Sequence, residues 1–238
     1  MIAILAEPAD LGALWLRSQL LRRLALPVEI VTPARLVYSR SILHRLTSTE
    51  SEARFELADG MTLRTPGLCG IVNRLTSLPT AHLAGAAAVE RDYAAAELHA
   101  FLLGWLASLD CPLLNPPAPE NLAGPSHSNL SALHFAALSG LSCRRAIIAV
   151  DAPQPPPPAP VGTAVRHFVL DGQVIGPPLS SATRDSMILF ARLWGARLVQ
   201  IETIRDRGRH EFVAASSVVD FQAGGEALVR AIGRVFSS

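Results

Sequence analysis

None of the 21 basic residues in this 238-residue sequence is a lysine; all are arginines. That absence bears on chemistry. A P-loop needs a lysine at the β- and γ-phosphates, and imine-forming enzymes need an amine that can lose its proton. A guanidinium stays charged and cannot serve as base or nucleophile. Chains rich in Ala, Arg, Leu and Pro come from GC-rich bacterial genomes, and drift accounts for most of the arginine surplus. Drift would still spare a lysine that carried catalysis. Charge of either sign is also scarce: 17% of residues are charged, and the net charge is +1. Such a balance supplies no field for nucleic acid or an anionic membrane. Cysteine is limited to Cys69, Cys111 and Cys143, which fit neither a disulfide framework nor a zinc spacing. They are expected to be buried small side chains in a reducing interior. The longest apolar stretch, Phe101 to Leu109, is far below the ~20 residues that span a bilayer. Glu7 and Asp10 follow the opening apolar run directly, unlike a signal peptide, so a cytoplasmic location is expected.

Half the residues are apolar, enough for one large or two small cores. Ile2–Ala6 and Val28–Val31 read as strands, and the spacing from Leu11 to Leu21 as a helix between them. Strand, helix, strand predicts a βαβ unit and a parallel sheet. Arg54 to Arg64 alternates about Asp59-Gly60 as a hairpin. Cys69 to Val72 reads as a strand that leaves Asn73 and Arg74 at its carboxyl end, the edge where open α/β sheets bind ligands. A polar strand-end turn explains the same two residues equally well.

Helices are predicted over Ala87–Leu109, with Tyr93, Leu98, Phe101, Leu102 and Leu106 facing the core, and over Asn129–Ser139, ending at Gly140. Ala146–Val150 reads as a strand, and Ala152–Pro160 as an extended polyproline spacer. Beyond it come a hairpin about Asp171-Gly172 and a helix over Ser186–Trp194 ended by Gly195. Strands follow at Leu198–Ile201 and Glu211–Ala215, separated by an Asp206-Arg207-Gly208 turn, and then a closing helix over Glu226–Phe236.

Four segments in this order resemble the ATP-grasp superfamily, above all its peptide-modifying ligases. Glu97 to Pro125 looks like the linker that leaves the family's N-terminal domain. Arg166-His167-Phe168-Val169-Leu170-Asp171-Gly172-Gln173-Val174 resembles the hairpin R-x-x-V-V-G-x-x-V. Leu193 to Ile204 resembles the helix-to-strand segment a-x-x-L-G-L-x-x-x-G-I-D-L, and Glu211 to Phe221 stands in place of y-x-L-E-V-N-P-x-P-G-F. The resemblance implies an α/β fold: an N-terminal parallel-sheet, pre-ATP-grasp-like domain over 1–115, then a reduced ATP-grasp-like α+β portion over 116–238, with 152–160 as a proline-rich linker. It also implies magnesium held by acidic residues. Glu202 matches the first of these, whereas the second carboxylate and the asparagine fall at Ala214 and Ser216. Arg144 to Val165 fills the place of the family's lysine-bearing lid.

The expectation is therefore a protein without a cofactor: a non-catalytic, accessory ATP-grasp relative. It would bind a peptide or protein partner, with Asn73, Arg74 and Arg166 holding a substrate peptide or an anionic small molecule and Ser126 and Glu202 as further ligand-binding residues, in a homodimer or hetero-complex. The alternative is an ATP- and magnesium-dependent carboxylate–amine ligase completed by a partner chain. Ser126, in the polar run ahead of the Asn129 helix, suits an anion or a plain helix cap. The seven histidines form no His-x-x-x-His or His-Glu-x-x-His pair, so metal binding through them is the weakest reading.

Overall fold

A computed structural model describes residues 1–143, 162–206 and 209–237. The chain divides into two compact units, Met1–Pro125 with Val229–Ser238, and Ser126–Leu228. The first unit thus runs to Pro125 rather than Asn115 and reclaims the last residues of the chain.

The first unit opens with β1 (Ile2–Leu5), α1 (Leu11–Leu21) and β2 (Val28–Val31). Every residue of β1 is buried, as a strand covered on both faces of a parallel sheet requires. Asp10 starts α1 by accepting the Ala13 N–H at 2.9 Å. Thr32 caps the short α2 (Pro33–Val37), whose first residue is a proline with no amide to satisfy. Three antiparallel strands follow, β3 (Ser41–Leu46), β4 (Ser51–Glu56) and β5 (Thr62–Arg64). The chain then returns through β6 (Gly70–Asn73), α3 (Ala88–Ala107) and β7 (Leu113–Leu114). The parallel sheet has the order β2-β1-β6-β7. One core joins both sheets to α3: Leu5, Phe55, Ile71, Leu102 and Trp105 all belong to it.

The second unit contains α4 (Asn129–Leu138), β8 (Ser142–Cys143), β9 (Thr163–Leu170), β10 (Gln173–Ile175), α5 (Ser181–Trp194), β11 (Leu198–Asp206) and β12 (Arg209–Ser216). Its sheet has the order β10-β9-β11-β12-β8, antiparallel except for β8. Asp171 and Gly172 both have positive φ, 47° and 79°, the conformation that a two-residue hairpin demands. Arg197 clamps this turn with two hydrogen bonds to the Asp171 carboxylate, at 2.9 and 2.7 Å. Gly195 ends α5 in the left-handed region. One sheet face, carrying Val169, Val199, Ile201 and Phe212, packs on Ala136 of α4 and on Met187 and Phe190 of α5.

The α/β class and the parallel sheet are as the sequence predicts. The differences have local causes. β3 is exposed almost throughout and lacks the alternation that marks a half-buried strand. Tyr93, expected on the core side of α3, is 67% exposed, because only the helix's second half carries core residues. The closing helix α6 (Phe221–Val235) begins ahead of the predicted Glu226 and kinks at Gly225, whose φ is 57°. The predicted strand over 146–150, the polyproline segment 152–160 and the Arg207-Gly208 tip of the turn lie outside the described residues.

Candidate functional site

Strand register in the second unit sets Arg166 of β9 directly opposite Glu202 of β11. Side chains alternate along a strand, so both point away from the face covered by α4 and α5. Arg166 Nε donates to Glu202 Oε1 at 2.8 Å, and its Nη1 reaches Asp220 Oδ2 at 3.2 Å. Gln200, 7% exposed, links the Glu202 carboxylate to the Asp220 backbone. Its Nε2 donates to Glu202 Oε1 at 2.9 Å, and its Oε1 accepts the Asp220 N–H at 2.7 Å. Asp220 Oδ1 accepts the N–H groups of Gln222 and Ala223, both at 3.1 Å, which caps the first turn of α6.

Two carboxylates thus face one guanidinium, leaving an excess negative charge at a partly exposed cluster. The side chains of Arg166, Glu202 and Asp220 are 48%, 36% and 44% exposed. Ion pairs so accessible contribute at most ~1 kcal/mol to stability. Their arrangement therefore matters more for what it can bind than for holding the fold together. Among the described residues no group of three or more His, Cys, Asp or Glu side chains is placed to hold a metal ion. Mg²⁺ needs fewer: it binds through one or two carboxylates and completes its shell with water and substrate phosphates. Glu202 and Asp220 are a fitting oxygen pair.

Of the other predicted site residues, Asn73 and Arg74 belong to the first unit and Ser126 to the second. Asn73, 2% exposed, donates from Nδ2 to the carbonyls of Asn115 and Leu122 and accepts the Leu75 N–H at Oδ1. It staples the end of β6 to the segment after β7. Arg74 Nε donates to Asp10 Oδ2 at 2.6 Å, with side chains only 10% and 18% exposed. Burial pushes the Asp10 carboxyl up, but the Arg74 hydrogen bond and charge, with the Ala13 N–H, bring it below its ordinary value. The Asp10 contribution to stability is then full above the ordinary carboxylate range and disappears as pH falls through the lowered value. Arg74→Met is expected to cost on the order of 2 kcal/mol at neutral pH, measured by urea unfolding, with a smaller loss in acid. Ser126 is exposed, and the cap of α4 is Ser128, which accepts the Ser131 N–H at 3.1 Å.

His167 occupies the opposite face from Arg166 and is fully buried. Its Nε2 lies 3.3 Å from the Pro177 carbonyl, so that nitrogen carries the proton, and Nδ1 has no partner among the described residues. Burial, with the nearby His210 ring, holds the imidazole below its ordinary pKa. A depressed folded value means stability that is complete above about pH 6.5 and is lost as pH falls through the folded pKa. A His167→Phe variant should flatten that acid limb in a denaturation series between neutral and mildly acidic pH.

No protein-family model matches the sequence, and no curated protein matches it either. Solved structures do. The macrocyclase MdnC of Microcystis aeruginosa MRC, bound to its precursor peptide MdnA, aligns over 99% of both chains with a TM-score of 0.74 at 12% identity. This chain has the ATP-grasp fold. A RiPP-associated ATP-grasp ligase of Chryseobacterium gregarium, in complex with ADP and a leader and core peptide, matches with a TM-score of 0.70 at 11% identity. That match covers 99% of this chain and 95% of the ligase. The ATP-grasp ligase PsnB, complexed with a minimal precursor, Mg and ADP, matches with a TM-score of 0.69 at 15% identity, covering 100% of this chain and 98% of PsnB.

These likenesses correct one expectation outright. The sequence reading assigned the chain no cofactor, yet ligases sharing its fold from end to end were solved with ADP, AMPPNP and Mg. The physical error lay in treating missing lysines and one missing motif carboxylate as a missing site. Arginine grips phosphate in a bidentate fork, more specifically than lysine does. Ala214 does stand opposite Glu202 in the register, without a carboxylate. Asp220, beyond the end of β12, brings a second carboxylate to the Arg166 guanidinium. Its signal was present in the sequence: an aspartate directly before an apolar helical run is a capping position.

Proposed function

We propose that this chain is an ATP-grasp-fold protein that binds a peptide of a modification pathway and holds a magnesium nucleotide at the Arg166–Glu202–Asp220 cluster. The cluster itself carries the reading: two hydrogen-bonded carboxylates and a guanidinium on the sheet face opposite the helices. Glu202 and Asp220 would hold the metal, with Gln200 fixing both by a hydrogen bond to each residue. Magnesium held there would offset the charge of a bound phosphate. Arg166 would offer its guanidinium fork to an anionic phosphate or carboxylate. The peptide part of the proposal rests on MdnC, PsnB and the Chryseobacterium ligase, each solved with a peptide.

The role proposed is accessory rather than self-sufficient catalysis. The chain has no lysine, and only residues 144–162 stand between β8 and β9, which supports a role in which the lysine-bearing lid implied by the family resemblance comes from elsewhere. A partner chain would supply it. Incubation of the purified chain with Mg-ATP tests this: nucleotide should bind, with no ADP released in the absence of a partner. Sustained ADP release by the chain alone, abolished by Arg166→Ala, would overturn the accessory role.

A further inference from the structure

Cys69 and Cys111 are 42 positions apart in sequence, yet they precede the neighbouring strands β6 and β7 of the first unit and line one cavity. Ile71 of β6 and Leu113 of β7 are register partners, and the Ile71 N–H donates to the Pro112 carbonyl at 2.9 Å. Each cysteine stands two residues before one member of that pair. Neighbouring strands run about 4.8 Å apart, inside the ~4.4–6.8 Å Cα separation that a disulfide spans. Both thiols are free and half-buried, and both line one cavity of about 600 Å³ beside Thr49, Glu50, Glu52 and Asp110. A small oxidant therefore has access to the pair from a single side.

We propose that Cys69 and Cys111 form a reversible intramolecular disulfide, made by exchange with a low-molecular-weight disulfide that enters this cavity. Burial pushes the Cys111 thiol up, and the Cys69 and Asp110 charges add to the effect, so Cys111 is held as a thiol. Cys69 Sγ lies 3.2 Å from the Met1 nitrogen. In the scheme proposed, Cys69 attacks first as the thiolate. Its sulfur bonds one sulfur of the incoming disulfide and expels the other as a thiolate. Cys111 loses its proton, attacks the Cys69 sulfur and expels the second thiolate. The two cysteines give up two protons and two electrons, and the oxidant leaves as two thiols. The bond ties the entrance of β6 to that of β7 at the mouth of the cavity. Cys143 takes no part: it lies in the second unit, where its thiol donates to the Leu141 carbonyl at 3.2 Å.

The test is to equilibrate the whole chain with oxidised glutathione and map its peptides without reduction. The expected product is a Cys69–Cys111 cross-linked peptide in a chain lighter by about 2 Da, the two hydrogens lost. Cys143 should stay free, and dithiothreitol should restore all three thiols. Cys143→Ser should leave the cross-link in place, and Cys69→Ser should abolish it. Persistence of glutathione on either cysteine, cross-linking between chains, or three thiols untouched under oxidant would each overturn the proposal.

Discussion

Trp105→Ala is expected to destabilise the protein by about 4 kcal/mol, the middle of the range for deleting a buried aromatic. Trp105 is 1% exposed and packs against Phe55 with ring centroids 4.6 Å apart. It lies in the core that joins the three-stranded sheet, the parallel sheet and α3, so the cavity left behind would touch every layer of the first unit. Against a typical net stability of about 5–15 kcal/mol, that loss leaves little margin. Trp105→Phe should be far milder. The indole Nε1 has no hydrogen-bond partner among the described residues, so the phenyl ring also removes a buried, unsatisfied donor. Urea unfolding of both variants checks the order; equal losses would mean that the indole makes contacts the ring packing does not account for.

Glu202→Ala is expected to behave in the opposite way, leaving the fold nearly intact and removing magnesium-nucleotide binding. The Arg166–Glu202 pair is open to water, so its loss costs at most ~1 kcal/mol. A saturating ligand at ~100 times its Kd stabilises a protein by roughly 2.7 kcal/mol, and this stabilisation should vanish in the variant. Asp220→Asn should weaken it too. The amide retains the acceptor for the Gln222 and Ala223 N–H groups, so the cap survives while the negative charge goes. Calorimetric titration with Mg-ADP distinguishes the two losses from unfolding.

Much of this architecture was legible in the sequence because its signals are local. The all-apolar run of β1, the Asp59-Gly60 and Asp171-Gly172 turns, and the Gly195 stop each specify a conformation within a few residues. β3 carried no such signal, since a mostly exposed edge strand has no buried face to pattern. The candidate site was only half legible. Arg166 and Glu202 were singled out by their motif positions, and the strand register sets them opposite one another. Asp220 was missed because it reaches the cluster through a turn after β12, a tertiary event that strand-by-strand matching does not anticipate. The adjacency of Cys69 and Cys111 is likewise a product of strand order in the parallel sheet, invisible to a spacing rule. Asn73 and Arg74 do lie at and just after the carboxyl end of β6, as expected, but sequence could not say that their polar groups bond within the fold.

The most direct measurement is thermal unfolding of the unmodified chain with ADP in the presence and absence of Mg²⁺, up to millimolar nucleotide. The account predicts an upward shift of the midpoint that requires the metal and disappears in Glu202→Ala. No shift at saturating Mg-ADP, or an equal shift without Mg²⁺, would contradict a magnesium-nucleotide site at Glu202 and Asp220.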